Sequence, residues 1–231
     1  SCSIGVVDVR RGTGQDPESL LAALSIAQQT ASASAARFHR LELAGSAVAA
    51  YRDDLAWVET VRHAVLEGRI AIHAQPIVPA CAGDTGLHYE VLARMVGADG
   101  EIVPPGRFLP AVSQSRLLER FDRLVITSTL DHLHRHPPLL AATAVCAIHV
   151  TGPTICDTDF PSWLDGALSE RRIPASRIVI EITESESIAR LDSALGNVRA
   201  LQAAGVAVAV DDFGTGQATF AYIRRFAPQW R

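Results

Sequence analysis

Two adjacent carboxylates, Asp211 and Asp212, stand at the end of an apolar stretch and precede a Phe-Gly-Thr-Gly turn. Two like charges at contact distance cannot both stay ionised in a buried place unless a partner neutralises them. One or two divalent metal ions are the simplest such partner. The segment therefore predicts either a metal site or a solvated turn that carries acidic residues.

Three other short segments, rich in β-branched and apolar residues, also carry polar residues near their ends. They cover residues 86–94, 144–150 and 177–184. The last three strands, including the one that ends at Asp211, recur about every thirty residues, which is the length of a βα unit. The stretches Phe160–Glu170 and Ser187–Ala204 have apolar residues at three- and four-residue spacing, which predicts helices between the strands.

The polar residues of these strands are predicted to meet. The carboxyl ends of parallel strands gather on one rim of a (β/α) barrel, where such proteins place their chemistry. Glu90, His149, Glu181 and Asp211 are all in phase with that rim. No one of them would justify this prediction alone, but Glu181 is the hardest to dismiss, because a carboxylate between Ile180 and Ile182 is unusual in a strand.

Composition narrows the class of protein. A chain of 231 residues allows one large domain, or one domain and a piece of another. No apolar run is long enough to span a bilayer and no secretory leader is evident, so we expect a cytoplasmic protein without membrane contact. The net charge of −4 argues against DNA binding as its main role. Unpaired cysteine spacing predicts free thiols in a reducing compartment.

Together the motifs resemble the EAL-domain family, bacterial phosphodiesterases that open cyclic di-GMP to linear pGpG with Mg²⁺ or Mn²⁺. The resemblance covers residues 69–231 and implies a (β/α)8 TIM-like barrel. A closed barrel needs roughly 250 residues, so the barrel is expected to be truncated. The matching motifs are Gln75-Pro76-Ile77, Glu90-Val91-Leu92 with Arg94, Pro104 to Pro110, Glu181-Ile182-Thr183-Glu184 and Asp211 to Gly216.

Residues 1–45 resemble the C-terminal end of a GGDEF domain, the cyclase module often fused upstream. A strand at residues 1–9 and a helix opened by Asp16 and Pro17 match its last elements. Residues 46–68 then form a linker helix that ends at Gly68. The expected fold class is therefore α/β, a truncated EAL-type barrel behind an N-terminal α/β remnant of a GGDEF domain.

The resemblance implies roles for the metal-binding residues. Glu90, Glu181 and Asp211 would bind the first metal, and Asp211 would bridge to a second held by Asp212. His149 stands where the family usually has asparagine; an imidazole can bind Mn²⁺ but is a poor Mg²⁺ ligand beside oxygen donors. His149 could instead be an ordinary hydrogen-bonded core histidine.

The same resemblance implies catalytic and substrate-binding residues. Glu90, Asp211 and Glu184 would be catalytic, with Glu184 bracing the loop after its strand. Gln75, Leu92 and Arg94 would contact cyclic di-GMP, and the guanidinium fork of Arg94 suits a phosphate. In the plainer alternatives, Glu90 and Glu184 are surface acids and Arg94 pairs with Glu90 four residues away. Three alternating histidines, His132, His134 and His136, look metal-like but are expected to lie in a surface loop after a helix.

Several departures from the family pattern weaken the expectation of catalysis, and two of them bear most on the site. One is His149. The other is that the family's later lysine and glutamate would lie beyond Arg231, so this chain is expected to be inactive alone. The alternatives are a receptor that binds cyclic di-GMP without cutting it and a scaffold with a dead pocket. An upstream GGDEF or sensor domain in the parent protein and a homodimer are further partners that the resemblance makes possible.

Overall fold

The structure is a computed structural model in which the chain divides into two compact units, Ser1–Val61 and Arg62–Arg231. Within the described part, no helix is long and apolar enough to cross a bilayer. The structure describes residues 3–9, 20, 23–25, 27–28, 31, 37–42, 45–78, 86–114, 116–183 and 191–211.

The first unit contains two parallel strands, β1 (Ile4–Asp8) and β2 (Phe38–Glu42). Parallel neighbours need a crossover connection, and the described residues between the strands include helical ones, among them the buried Ala27. A Cβ on Gly5 would lie 2.4 Å from the carbonyl carbon of Ala27, so the helix packs directly on the strand. The first strand is as predicted, whereas β2 has no counterpart among the predicted elements.

The remaining elements alternate between strands and helices after residue 142, as the spacing predicts. The helix Gly45–Leu66 ends two residues before Gly68, whose φ of 71° confirms the predicted end of that helix. In chain order the elements are α1 (Gly45–Leu66), β3 (Ile70–Pro76), β4 (Leu87–Val96), β5 (Ile102–Val103), α2 (Pro105–Gln114), α3 (Leu118–Arg135), α4 (Pro137–Ala142), β6 (Thr143–His149), α5 (Gly152–Cys156), α6 (Phe160–Arg171), a 3-10 turn (Ala175–Arg177), β7 (Ile178–Thr183), α7 (Leu191–Ala203) and β8 (Ala207–Asp211).

The second unit is built on one sheet with the strand order β3-β4-β6-β7-β8, and the short β5 pairs with β4. Strands β4, β6, β7 and β8 are parallel, which confirms the predicted arrangement of the strands that carry acidic residues. Strand β3 is antiparallel to β4 and was not among the predicted strands. Among the described residues the sheet is open, with β3 and β8 at its two edges.

One face of this sheet is the hydrophobic core. Ile148, Ile180 and Ile182 are fully buried and alternate with the polar residues of β6 and β7. Helix α3 contacts β3, α5 and α6, and α7 contacts β8. Side chains alternate between the two faces of a strand, so the polar residues that flank these isoleucines lie on the opposite face.

The prediction that the three alternating histidines lie in a loop was wrong. His132 and His134 lie within α3, and His136 follows its last residue. The rings of His132 and His136 are 4.2 Å apart between centroids, and Nδ1 of His136 lies 2.7 Å from the carbonyl oxygen of His132. The error arose at Pro137, which opens the next helix, because proline is favoured in a first helical turn.

The packing of β4 against β6 can be tested at Gly86, where a Cβ would lie 2.2 Å from the Cβ of Ala144. We expect Gly86→Ala to lower the free energy of unfolding by about 1–3 kcal/mol through overpacking. Gly196→Ala in α7 is the matched control, because a Cβ there meets nothing within 4 Å and should be neutral or stabilising. Chemical denaturation measures both variants, and equal stabilities would contradict the described packing.

Candidate functional site

Strand register brings the predicted acidic residues to one face of the sheet. His149 at the end of β6 pairs with Glu181 of β7, and Glu181 pairs with Ala209 of β8. Asp211 follows two residues later on β8 and so lies on the same face as Glu181. Parallel pairing alone therefore gathers two carboxylates and an imidazole near the carboxyl ends of three adjacent strands.

Glu90 joins this face from β4. It pairs with Ala147, which lies two residues before His149 on the same face of β6. On its other side Glu90 pairs with Gln75 of β3, so that side chain also shares the face.

Leu92 and Arg94 extend the same face along β4, because they follow Glu90 at intervals of two. The structure therefore places Gln75, Leu92 and Arg94 together beside the acidic residues. Arg94 donates a hydrogen bond from Nη1 to the carbonyl oxygen of Ala93. Strand residues four apart are separated by about 13 Å along the strand, so the geometry of β4 does not favour direct pairing of Arg94 with Glu90.

Glu181 lies in an electrostatically unfavourable place. Burial is the largest cause that raises its pKa, and the nearby carboxylates of Glu90 and Asp211 raise it further, to about 7. All three effects disfavour the charged form of Glu181. A bound cation would reverse two of them at once, since it would attract all three carboxylates.

Two atoms on this face fit a role as metal ligands. Oε2 of Glu181 and Nε2 of His149 are buried and have no hydrogen-bond partner among the described residues. Carboxylate oxygens suit Mg²⁺ or Mn²⁺, and an imidazole nitrogen suits Mn²⁺. Within the described ranges, no three His, Cys, Asp or Glu side chains already enclose a metal position. The donor set fits a divalent metal in type, while Asp212 and Glu184 lie outside the described residues.

One polar residue beside the site was missed by the sequence reasoning. Asp122 of α3 is 3% exposed, and its Oδ2 accepts hydrogen bonds from the backbone and hydroxyl of Thr151 and from the hydroxyl of Thr154. These threonines lie two and five residues after His149 in the chain. The sequence could have pointed to it, because Asp122 is an acidic residue on the apolar face of a predicted helix, next to Phe121 and close to Val125.

A groove of about 580 Å³ lies on the other face of β3 and β4, and neither Glu90, Glu181 nor Asp211 is among its lining residues. Its walls include Ile72 and Ala74 of β3, Tyr89 and Val91 of β4, and Leu133 of α3. Tyr89 and Val91 alternate with Glu90, which points to the opposite side of the sheet. The residues predicted to bind metal or substrate therefore do not line this groove, whereas Asp131 and His132 of α3 do.

Comparison with known proteins identifies the family. Residues 58–230 match the model of the EAL domain. The chain belongs to the EAL domain family. The chain is 30% identical to the cyclic di-GMP phosphodiesterase PdeF of Escherichia coli over 173 residues, a match that covers 75% of this chain and 23% of PdeF. The chain thus spans less than a quarter of that EAL-domain relative.

Solved EAL structures share the fold. The FimX EAL domain of Pseudomonas aeruginosa bound to c-di-GMP matches with a TM-score of 0.66 and 25% identity, over 73% of this chain and 67% of that one. The S helix-GGDEF-EAL structure of Vibrio cholerae LapD, bound to c-di-GMP, matches with a TM-score of 0.66 at 20% identity. That second match covers 99% of this chain and 54% of LapD.

Replacing Glu181 tests the charge repulsion. A carboxyl whose pKa is raised by folding loses its stabilising effect as the pH rises through that pKa, here about 7. In EDTA at pH 8 we expect Glu181→Gln to be more stable than the wild type by about 1–2 kcal/mol, after allowance for partial exposure. The difference should shrink toward pH 5. Thermal unfolding at the two pH values measures it.

The matched control is Glu119→Gln, which neutralises an exposed glutamate of α3. It should change stability little at either pH. Mn²⁺ should stabilise the wild type and the control more than Glu181→Gln. If Glu181→Gln is less stable than the wild type in EDTA at pH 8, the carboxylates do not repel as described.

Proposed function

We propose that this chain is a divalent-metal-dependent module that hydrolyses cyclic di-GMP to linear pGpG. The observation that supports the proposal is the common face of Glu90, Glu181 and Asp211 on a parallel sheet. Membership of the EAL family and similarity to PdeF, itself a cyclic di-GMP phosphodiesterase, point to the same reaction class.

In this proposal the acidic residues hold Mg²⁺ or Mn²⁺. Glu90, Glu181 and Asp211 supply carboxylate oxygens, Asp212 adds a further one, and His149 offers a nitrogen that favours Mn²⁺ over Mg²⁺. Bound metal would supply Lewis-acid activation of water and stabilise the charge that develops on phosphate oxygens. Without a cation the same carboxylates would repel an anionic dinucleotide.

The substrate would lie along β3 and β4. Arg94 offers a planar fork of donors for a phosphate, and Gln75 offers an amide that can both donate and accept hydrogen bonds. Leu92, between Glu90 and Arg94 on the same face, would give an apolar contact to the base or ribose. Glu184 would brace the loop after β7.

We also propose a domain organisation. Residues 69–231 would be part of a (β/α)8 barrel of the EAL type, residues 46–68 a linker helix, and residues 1–45 the C-terminal part of a GGDEF domain. The fold match to LapD over nearly the whole chain and the parallel pair of β1 and β2 favour this division. In the parent protein this segment would be cytoplasmic and would follow an upstream GGDEF or sensor domain. The parent protein would form a homodimer.

A second candidate function is a receptor that binds cyclic di-GMP without cutting it. His149 favours this alternative, because the imidazole replaces an oxygen donor at a position where the family usually has asparagine. The two functions differ in what they require of the metal. Hydrolysis needs the carboxylate ligands, whereas binding could rest on Arg94 and Gln75.

The two functions separate when one carboxylate is removed. In Mn²⁺, and in the parent protein that contains this chain, we expect Asp211→Asn to lower turnover of cyclic di-GMP by more than about 100-fold while it weakens binding less than tenfold. Asp165→Asn, which changes an exposed acid on α6, is the matched control and should behave like the wild type. Chromatography of pGpG measures turnover and calorimetry measures binding.

Three outcomes are distinct. A wild-type parent protein that binds cyclic di-GMP but forms no pGpG would make the receptor the correct function. Turnover that survives Asp211→Asn would contradict the proposed metal ligands. Absence of both binding and turnover in a folded chain would overturn both functions and leave a scaffold.

The contribution of Arg94 is tested separately. Arg94→Ala should weaken cyclic di-GMP binding by about 10- to 100-fold, because a bidentate donor to phosphate is lost. Arg199→Ala, which removes an exposed arginine of α7, is the control and should leave the affinity unchanged. Equal affinities of the Arg94→Ala variant and the wild type would remove Arg94 from the binding site.

A further inference from the structure

The turn after β6 is fixed by one buried carboxylate. Oδ2 of Asp122 lies 2.8 Å from the backbone nitrogen of Thr151, 2.7 Å from its hydroxyl and 2.6 Å from the hydroxyl of Thr154. Three donors therefore converge on a single oxygen of a side chain that is 3% exposed. Burial raises the pKa of Asp122, while these three bonds and the nearby His149 act to lower it.

The hydroxyl of Thr151 binds Asp122 instead of capping the helix that follows it. Thr151 is the N-cap of α5, a position where a threonine usually accepts a hydrogen bond from the first turn of the helix. Here its side chain makes no such cap and donates to Asp122 instead. The Thr151 side chain is thus bound to α3 rather than to the first turn of α5.

The other end of the same turn is also held. Nδ2 of Asn197 in α7 donates to the carbonyl oxygens of Ile155 and Asp157, at 2.9 and 2.8 Å. Arg123, next to Asp122, makes an ion pair of 2.7 Å with Asp157 and lies 4.7 Å from the ring centroid of Trp163. Two helices therefore fix the segment that begins two residues after His149.

The position of His149 depends on this segment. The backbone nitrogen of Val150 donates to the carbonyl oxygen of Glu181 at 2.8 Å, so the pairing of β6 with β7 continues up to the turn. Thr151 follows directly and is anchored on Asp122. A shift of the turn would pull on Val150 and move His149 relative to Glu181.

We propose that Asp122 is a positioning residue, which holds the Thr151–Thr154 turn and thereby keeps His149 beside Glu181 on the metal-binding face. The inference rests on the proposed function for its consequence, metal affinity, but the positioning itself belongs to the metal-free chain. Stability alone does not require this carboxylate, because well-packed apolar residues often stabilise a core as well as a buried charged group does.

The test uses variants of the whole chain that remove one part of the network. Asp122→Asn keeps the shape of the side chain and removes its charge, and Thr154→Val removes one donor. Thr154→Ser keeps the hydroxyl that Thr154→Val removes, and it is the conservative comparison. Asp131→Asn is the matched control, because Asp131 lies on the same helix and pairs with Arg171 at 2.6 Å.

Two measurements are made on each variant. In the metal-free chain, NMR follows the ring signals of His149 and the amide of Thr151. Electron paramagnetic resonance then measures Mn²⁺ affinity. We expect Asp122→Asn and Thr154→Val to shift the His149 ring signals and to weaken Mn²⁺ binding by about tenfold. Thr154→Ser should stay within about twofold of the wild type, and Asp131→Asn should lower thermal stability without moving either measurement.

The proposal is overturned if Asp122→Asn and Thr154→Val change the His149 signals no more than Asp131→Asn does. It is also overturned if Thr154→Ser behaves like Thr154→Val. If the wild type fails to bind Mn²⁺, the proposed metal-dependent function fails. In that case the NMR comparison still decides the positioning role, since it needs no metal.

Discussion

Repulsion among three carboxylates is the constraint on which the site depends. Parallel pairing of β4, β6, β7 and β8 gives Glu90, Glu181 and Asp211 a common face. Burial, and then the charges of the other two carboxylates, raise the pKa of Glu181. A fold does not gain stability from such an arrangement. The arrangement makes physical sense as a cation site. Oε2 of Glu181 has no hydrogen-bond partner in the described part of the chain, which is consistent with that use.

The rest of the second unit can be understood as support for this face. Isoleucines on the opposite face, such as Ile148 and Ile180, give the sheet its core. Helices that cover the core also reach toward the rim, where Asp122 of α3 and Asn197 of α7 hold the turn after His149. The same helices thus bury the apolar face and fix the polar edge.

The sequence allowed the acidic strands to be predicted, because Glu181 between two isoleucines identifies both a buried strand and an unusual carboxylate. It could not reveal the antiparallel β3, since pairing direction depends on the tertiary fold. The helical histidines were mistaken for a loop because Pro137 can end one helix or begin another. Asp122 was missed because its role depends on hydrogen bonds from Thr151 and Thr154, and these residues lie about thirty positions away in the chain.

Anomalous diffraction from crystals grown with Mn²⁺ would show whether the three carboxylates share a cation. We expect an anomalous peak bounded by Glu90, Glu181 and Asp211, with His149 at its edge. Ordered carboxylates with no peak between them, or with protein hydrogen bonds that satisfy each oxygen, would contradict this expectation. A peak confined to His132 and His136 would contradict it equally.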